Sequence, residues 1–173
     1  LKLRDKALLL LGFAAALRRS ELVGLRVEHV QMLQDRLIIA LPYSKTDQIG
    51  EGRYVVVPKG QRKGTCPLRA LQRWLSRAGI ESGPVFRTIT PNGRVRTGQV
   101  GADHVNDAVK DLARRCGLNA GQYAGHSLRR GWVTAARQRG IPTEEIMRVT
   151  GHRDARTLRV YDAAGAHASV VRV

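Results

Sequence analysis

Acidic residues are scarce in this chain. Only 14 Asp and Glu stand against 30 Lys and Arg, leaving a formal net charge of +16 at pH 7 over 173 residues. So one-sided a balance points away from cationic partners and toward a polyanion, most often nucleic acid. The bland alternative is a basic surface that serves only solubility. Aromatics are few as well, at 5%, which disfavours a platform that stacks single-strand bases and favours grip on a duplex backbone. The two cysteines, Cys66 and Cys116, form neither a disulfide framework nor a metal-ligand spacing, so a reducing, intracellular setting is expected, cytoplasmic or nucleoid-associated. The longest apolar run, "ALLLLGFAAAL" at 7–17, is too short to span a bilayer and reads as a buried helix.

What is present is ordinary for a globular protein: 43% hydrophobic and 25% charged residues. The length suits one domain, taken as 1–173, with no internal repeat. The chain opens almost inside a helix, so an upstream portion is expected to have been trimmed away. The pattern predicts a helix over 2–17 and another over 18–25, with Ser20 as N-cap and Glu21 as an early acid. Between 28 and 58 the period changes to β-branched alternation, predicting an antiparallel sheet of three strands with a polar hairpin tip at 43–52. Pro67 and Gly79 bracket a helix over 67–78. Residues 83–98 read as extended, turning at Asn92-Gly93, and the remainder as helices near 99–116, 126–139, 143–150 and 154–164. The expected class is therefore α+β: mostly helical, with a small antiparallel three-stranded sheet on one edge.

One stretch breaks a local rule. "AGHSLRRGWVTAA" (124–136) begins a helix with His126, Arg129 and Arg130 at an end whose free N–H groups are already positive. A bound anion between them explains the crowding; a solvated arginine cluster beside a buried histidine explains it equally well. Further stretches matter here. "LRRSEL" places Arg18 and Glu21 three apart, otherwise a plain helical salt bridge. "GHRDARTLRVY" places His152 after a glycine and Tyr161 nine residues on; such a tyrosine is usually core or surface. Lys45 lies on the hairpin tip, where most lysines are merely solvated.

Taken together, Arg18 in "LRRSEL", Lys45 in a hairpin, His126 and Arg129 in "HSLRR", His152 in "GH" and Tyr161 resemble the tyrosine recombinase and phage integrase family, in its order and along essentially the whole chain. The resemblance implies the catalytic domain of a site-specific DNA recombinase; the family's N-terminal DNA-binding domain is absent from this sequence. It implies that Tyr161 attacks the scissile phosphate, leaving a 3′-phosphotyrosyl link and a free 5′-hydroxyl. A phenol of pKa about 10 needs a base or a strongly cationic site to do so. Arg18 and Arg129 then hold non-bridging oxygens, His126 accepts the phenolic proton, and His152 donates to the phosphate. Lys45 is the acid for the 5′ oxygen, and Glu21 orients the shell around the arginines. No metal or cofactor is implied.

Lys59, Arg62 and Lys63, Arg94 and Arg96, and Arg130 are weaker candidates for contacts with backbone phosphates; Arg137 and Arg139 grip DNA or face water. The resemblance also implies double-stranded DNA as partner and a tetramer of the full-length protein on two duplexes, the isolated domain being monomeric. The apolar tail "SVVRV" docks on a neighbour or adds an edge strand in cis. Rival readings are a sequence-specific DNA-binding protein without catalysis, a type IB topoisomerase-like relaxing enzyme, and a metal-dependent nuclease built on His104, His126, His152 and His167.

Overall fold

The computed structural model describes residues 2–42 and 52–152. Its first helix, α1 (Leu3–Ala14), is buried along Arg4, Ala7, Leu8, Leu11 and Gly12, the spacing of one helical face. That face makes α1 the central element: it packs against helices α3 (Pro67–Ala78), α4 (Ala102–Arg115) and α5 (His126–Gln138). The helix stops at Ala14, three residues short of the expected end. Ala16 has a left-handed φ of 49° although it carries a side chain, at a cost of about 1 kcal/mol. The short helix α2 (Arg19–Val23) follows at once. Its N-cap is Arg18, not Ser20: the Glu21 carboxylate accepts from the Arg18 backbone N–H at 2.7 Å, so Ser20 falls inside the first turn.

Three antiparallel strands form as the alternation predicts: β1 (Val30–Met32), β2 (Arg36–Leu41) and β3 (Arg53–Pro58), in that order. Leu37, Ile39, Leu41, Val55 and Val57 point into the core, while Tyr54 and Val56 are exposed. Leu41 pairs with Arg53, which fixes where β3 starts. Pro67 opens α3, and Gly79, at φ 61°, ends it. The extended stretch is a second hairpin, β4 (Arg87–Ile89) and β5 (Val95–Gln99), turning through Gly93. The last described helix, α6 (Thr143–Thr150), is attached by a separate small cluster of Val133, Ala136 and Ile146. The helix expected over 154–164, its Asp154 cap and the "SVVRV" tail lie outside the described residues.

Candidate active site

Arg18 sits where α1's buried terminus turns into α2. Its Nη1 donates to Glu21 Oε1 at 2.7 Å and its Nη2 to the Gly151 carbonyl at 3.1 Å. Glu21 takes a second guanidinium from across the sheet: Arg53 Nη1 and Nη2 donate to Oε1 and Oε2, both at 2.9 Å, a parallel fork. With the Arg18 amide the carboxylate accepts four hydrogen bonds, two per oxygen, its full capacity. Burial pushes the Glu21 pKa up, but the bonds and charge of Arg53, then those of Arg18, outweigh it, so the group is held below the ordinary value. It is an anion at any working pH.

Arg129 is buried, 5% exposed. Its Nη1 donates to the Ala16 carbonyl at 2.9 Å and its Nη2 to the Thr150 carbonyl at 2.6 Å. The strained turn at Ala16 thereby gains a purpose: it aims a carbonyl at Arg129 and starts Arg18 two residues later. The two guanidiniums, 111 positions apart in sequence, bond consecutive carbonyls, Thr150 and Gly151, at the C-terminus of α6. They converge because a helix's last carbonyls are an electronegative cradle. Gly151 is suited to this corner twice over. Its φ is 65°, and a Cβ there would stand 2.8 Å from Arg53 Nη1.

His152 lies against the same group. The Thr150 hydroxyl donates back to the Ile146 carbonyl at 2.7 Å, so it must accept from His152 Nδ1 at 2.7 Å. That leaves Nε2, 3.2 Å from Arg129 Nη2, as the acceptor. Burial, and then the charges of Arg129, Arg18 and Arg53, lower its pKa to about 4 against the pull of Glu21, so the imidazole is neutral. Among the described residues, three guanidiniums against one carboxylate leave this cluster with a net charge of +2.

The opening anomaly of α5 is resolved differently from the expectation. Arg129 does not sit over the free N–H groups of its own helix; it caps the C-terminal ends of α1 and α6. The positive cluster is thus already partly compensated without an anion. His126 is exposed at the first residue of α5, one turn before Arg129. His104 belongs to another cluster, with Asp5 and Arg4, apart from His152. Lys45, Tyr161 and His167 lie outside the described residues.

A sequence profile described as the phage integrase family matches residues 1–167. The chain belongs to that family. It is 41% identical over 163 residues to an integrase/recombinase xerD homolog of Selenomonas ruminantium, covering 94% of this chain and 48% of the relative. To tyrosine recombinase XerC of Xylella fastidiosa it is 31% identical, covering 93% and 49%. The chain therefore spans about half the length of the curated relatives it matches. Among solved structures, the XerH site-specific recombinase bound to difH substrate superposes with a TM-score of 0.71 at 16% identity, covering 92% of this chain and 42% of that one. The XerA recombinase gives 0.71 at 19%, covering 92% and 52%. Both show the fold: a tyrosine recombinase catalytic domain, α+β with the small sheet, as the pattern predicted.

The weaker candidates of this integrase-family domain are scattered over its surface. Lys59 reaches the Gln34 carbonyl at 3.2 Å. Lys63 lines a cleft with Lys6, Arg69 and Arg73, whereas Arg94 and Arg96 rim a separate concavity beside Thr90 and Thr97. Arg62 and Arg130 are exposed. Two residues escaped the sequence reading. Thr150 is the hydrogen-bond partner that sets the histidine tautomer, and nothing in its local sequence marks it. Arg53 did leave a signal: in "RYVVVP" it shares its face with buried Val55 and Val57, so alternation alone puts a charge on the inward side.

Proposed function

We propose that this domain breaks and rejoins DNA strands at specific sites by transesterification, with Tyr161 as nucleophile and a 3′-phosphotyrosyl intermediate. The observation that carries the reading is the convergence of Arg18 and Arg129 on two consecutive carbonyls within a cluster of net positive charge. A phosphodiester carries its charge on two non-bridging oxygens. A phosphate oxygen adds a full negative charge that a neutral carbonyl lacks, so its attraction for a guanidinium is the stronger, and the carbonyls keep the arginines aligned until DNA arrives.

In the forward step the Tyr161 oxygen bonds to phosphorus and the bond from phosphorus to the 5′ oxygen breaks. The phenolic proton passes to His126, and Lys45 protonates the departing 5′ oxygen. Arg18 and Arg129 stabilise the charge that builds on the phosphorane. His152 enters this scheme with a condition. Its Nε2 accepts from Arg129 in the free domain, so donation to a phosphate oxygen requires that nitrogen to gain a proton, which an anion in the seat favours. Rejoining reverses each transfer, with the 5′-hydroxyl of the partner strand as nucleophile. The arginines supply the charge stabilisation, so EDTA should leave the rate unchanged.

The partner is double-stranded DNA, and the full-length protein acts as a tetramer on two duplexes in the cytoplasm; no described helix is long and apolar enough to cross a membrane. The test is a full-length protein incubated with a nicked duplex carrying its target site. An SDS-resistant adduct, mapped to Tyr161 by mass spectrometry and lost in Tyr161→Phe with DNA affinity unchanged, is the expected result. Wild-type protein that binds the duplex without ever forming the adduct defeats the reading in favour of simple DNA binding.

A further inference from the structure

Glu21 poses an electrostatic problem for an anion-binding seat. A carboxylate 2.7 Å from Arg18 cancels most of the charge that Arg18 would offer to a phosphate. Arg53 answers it. Both of its terminal nitrogens are committed to the two oxygens of Glu21, its side chain is 17% exposed, and its Nε is buried with no hydrogen-bond partner among the described residues. Removing that much solvent from a guanidinium is costly unless its partner is held tightly in return. The guanidinium also fills the space beside Gly151, whose carbonyl holds Arg18.

We propose that Arg53 is a positioning residue of the phosphate seat: it neutralises Glu21 and clamps it from the sheet side, so that Glu21 orients Arg18 without quenching its charge. The three groups then act as one unit in which β3 supplies the counter-cation, α2 the carboxylate, and the α1–α2 turn the cation that meets the ligand. Arg53 itself touches no reacting atom. This assignment rests on the phosphate-seat reading above, and its consequences separate from it.

The decisive experiment is a double-variant cycle in the full-length protein, reading single-turnover adduct formation on a nicked duplex alongside thermal melting. Arg53→Met should slow adduct formation roughly 10²-fold, on the scale of losing one oxyanion-stabilising donor. Adding Glu21→Gln to it removes the uncompensated carboxylate and should recover at least about 10-fold of that loss. Arg53→Lys, which keeps the charge without the fork, should fall between Arg53→Met and wild type. A merely structural arginine would show no such rescue, so a double variant no faster than Arg53→Met overturns the proposal, as does an Arg53→Met protein of wild-type rate. If wild-type protein forms no adduct, the recombinase reading fails, and titration of His152 by NMR in the free protein decides the Arg53 assignment. Arg53→Met should raise the imidazole pKa and Glu21→Gln should lower it; no change in either overturns the assignment.

Discussion

Two clusters in this domain bury an arginine to the same 5% exposure, and they do opposite things with it. Arg4, at the start of α1, donates from Nε to Asp5 at 2.9 Å and from Nη1 to the Arg87 carbonyl at 3.1 Å, with His104 Nε2 2.7 Å from Nη2. One guanidinium meets one carboxylate, so the cluster closes on itself as a tie between α1, β4 and α4. Arg129 instead meets carbonyls and a neutral imidazole, and among the described residues shares its surroundings with two further guanidiniums and one carboxylate. Burial alone therefore says nothing of function. What the proposed seat has and the tie lacks is a surplus of positive charge over counter-charge among the described residues, together with neutral acceptors in place of a carboxylate.

The sharpest way to break this distinction is to change each arginine in turn. Arg129→Lys keeps a charge but loses the planar pair of donors, and adduct formation should fall about 10²- to 10³-fold. Arg4→Met should leave that rate within twofold at temperatures where the protein is folded; equal losses from both variants would erase the contrast. In stability the order reverses. Arg4→Met leaves Asp5, its side chain 14% exposed, with His104 as its remaining partner, and urea denaturation should show a loss of about 2 kcal/mol, short of the ~3–5 kcal/mol for a buried charge left wholly uncompensated.

Acid should also separate the two. The folded-state pKa of His152 lies near 4, below the ordinary 6.5, so from pH 6.5 downward the unfolded chain takes up a proton that the folded chain refuses. Stability should fall across that window. His152→Gln should flatten the slope between pH 6.5 and 5, measured as urea midpoints, and an unchanged slope would place the titration elsewhere. Asp5 acts in the same direction but over a lower range. Burial raises its pKa, but hydrogen bonds from His104 and Arg4 and their charges outweigh that effect, so its contribution is present at neutral pH and fades only as pH drops through its lowered folded value, beneath 3.8. The smallest effect calibrates the scale: the Arg115–Asp111 pair on exposed α4 joins similar groups at 2.8 Å, yet Asp111→Ala should cost only about 0.3 kcal/mol in the same denaturation.

Much of the fold was legible because its signals are local. Alternation in "DRLIIALP" and "RYVVVP" yields the paired strands, and Pro67 with Gly79 bounds α3 to the residue. Ser20 misled because a hydroxyl at an apparent helix start is the commoner cap, whereas here the Glu21 side chain reaches back to the Arg18 amide and moves the boundary two residues. The end of α1 misled for a different reason. Nothing in "AAAL" stops a helix; the break at Ala16 is held by burial and by Arg129, which donates to the Ala16 carbonyl from another part of the chain.

The order of its arginines, histidines and tyrosine is a resemblance to the tyrosine recombinase family; from its residues alone the chain determined that it would be basic and helical with a small sheet. Those properties follow from side-chain charge, period and local hydrogen-bonding preference, which act over a few residues. Only the tertiary structure decided that Arg18 and Arg129 share the end of α6, that Arg53 neutralises Glu21, and that Thr150 sets the proton on His152. The first two depend on groups brought within 3.1 Å across 21 to 133 residues, and the third on His152 folding back onto Thr150 at the end of α6; electrostatics in a desolvated corner is settled by such neighbours rather than by residue type alone.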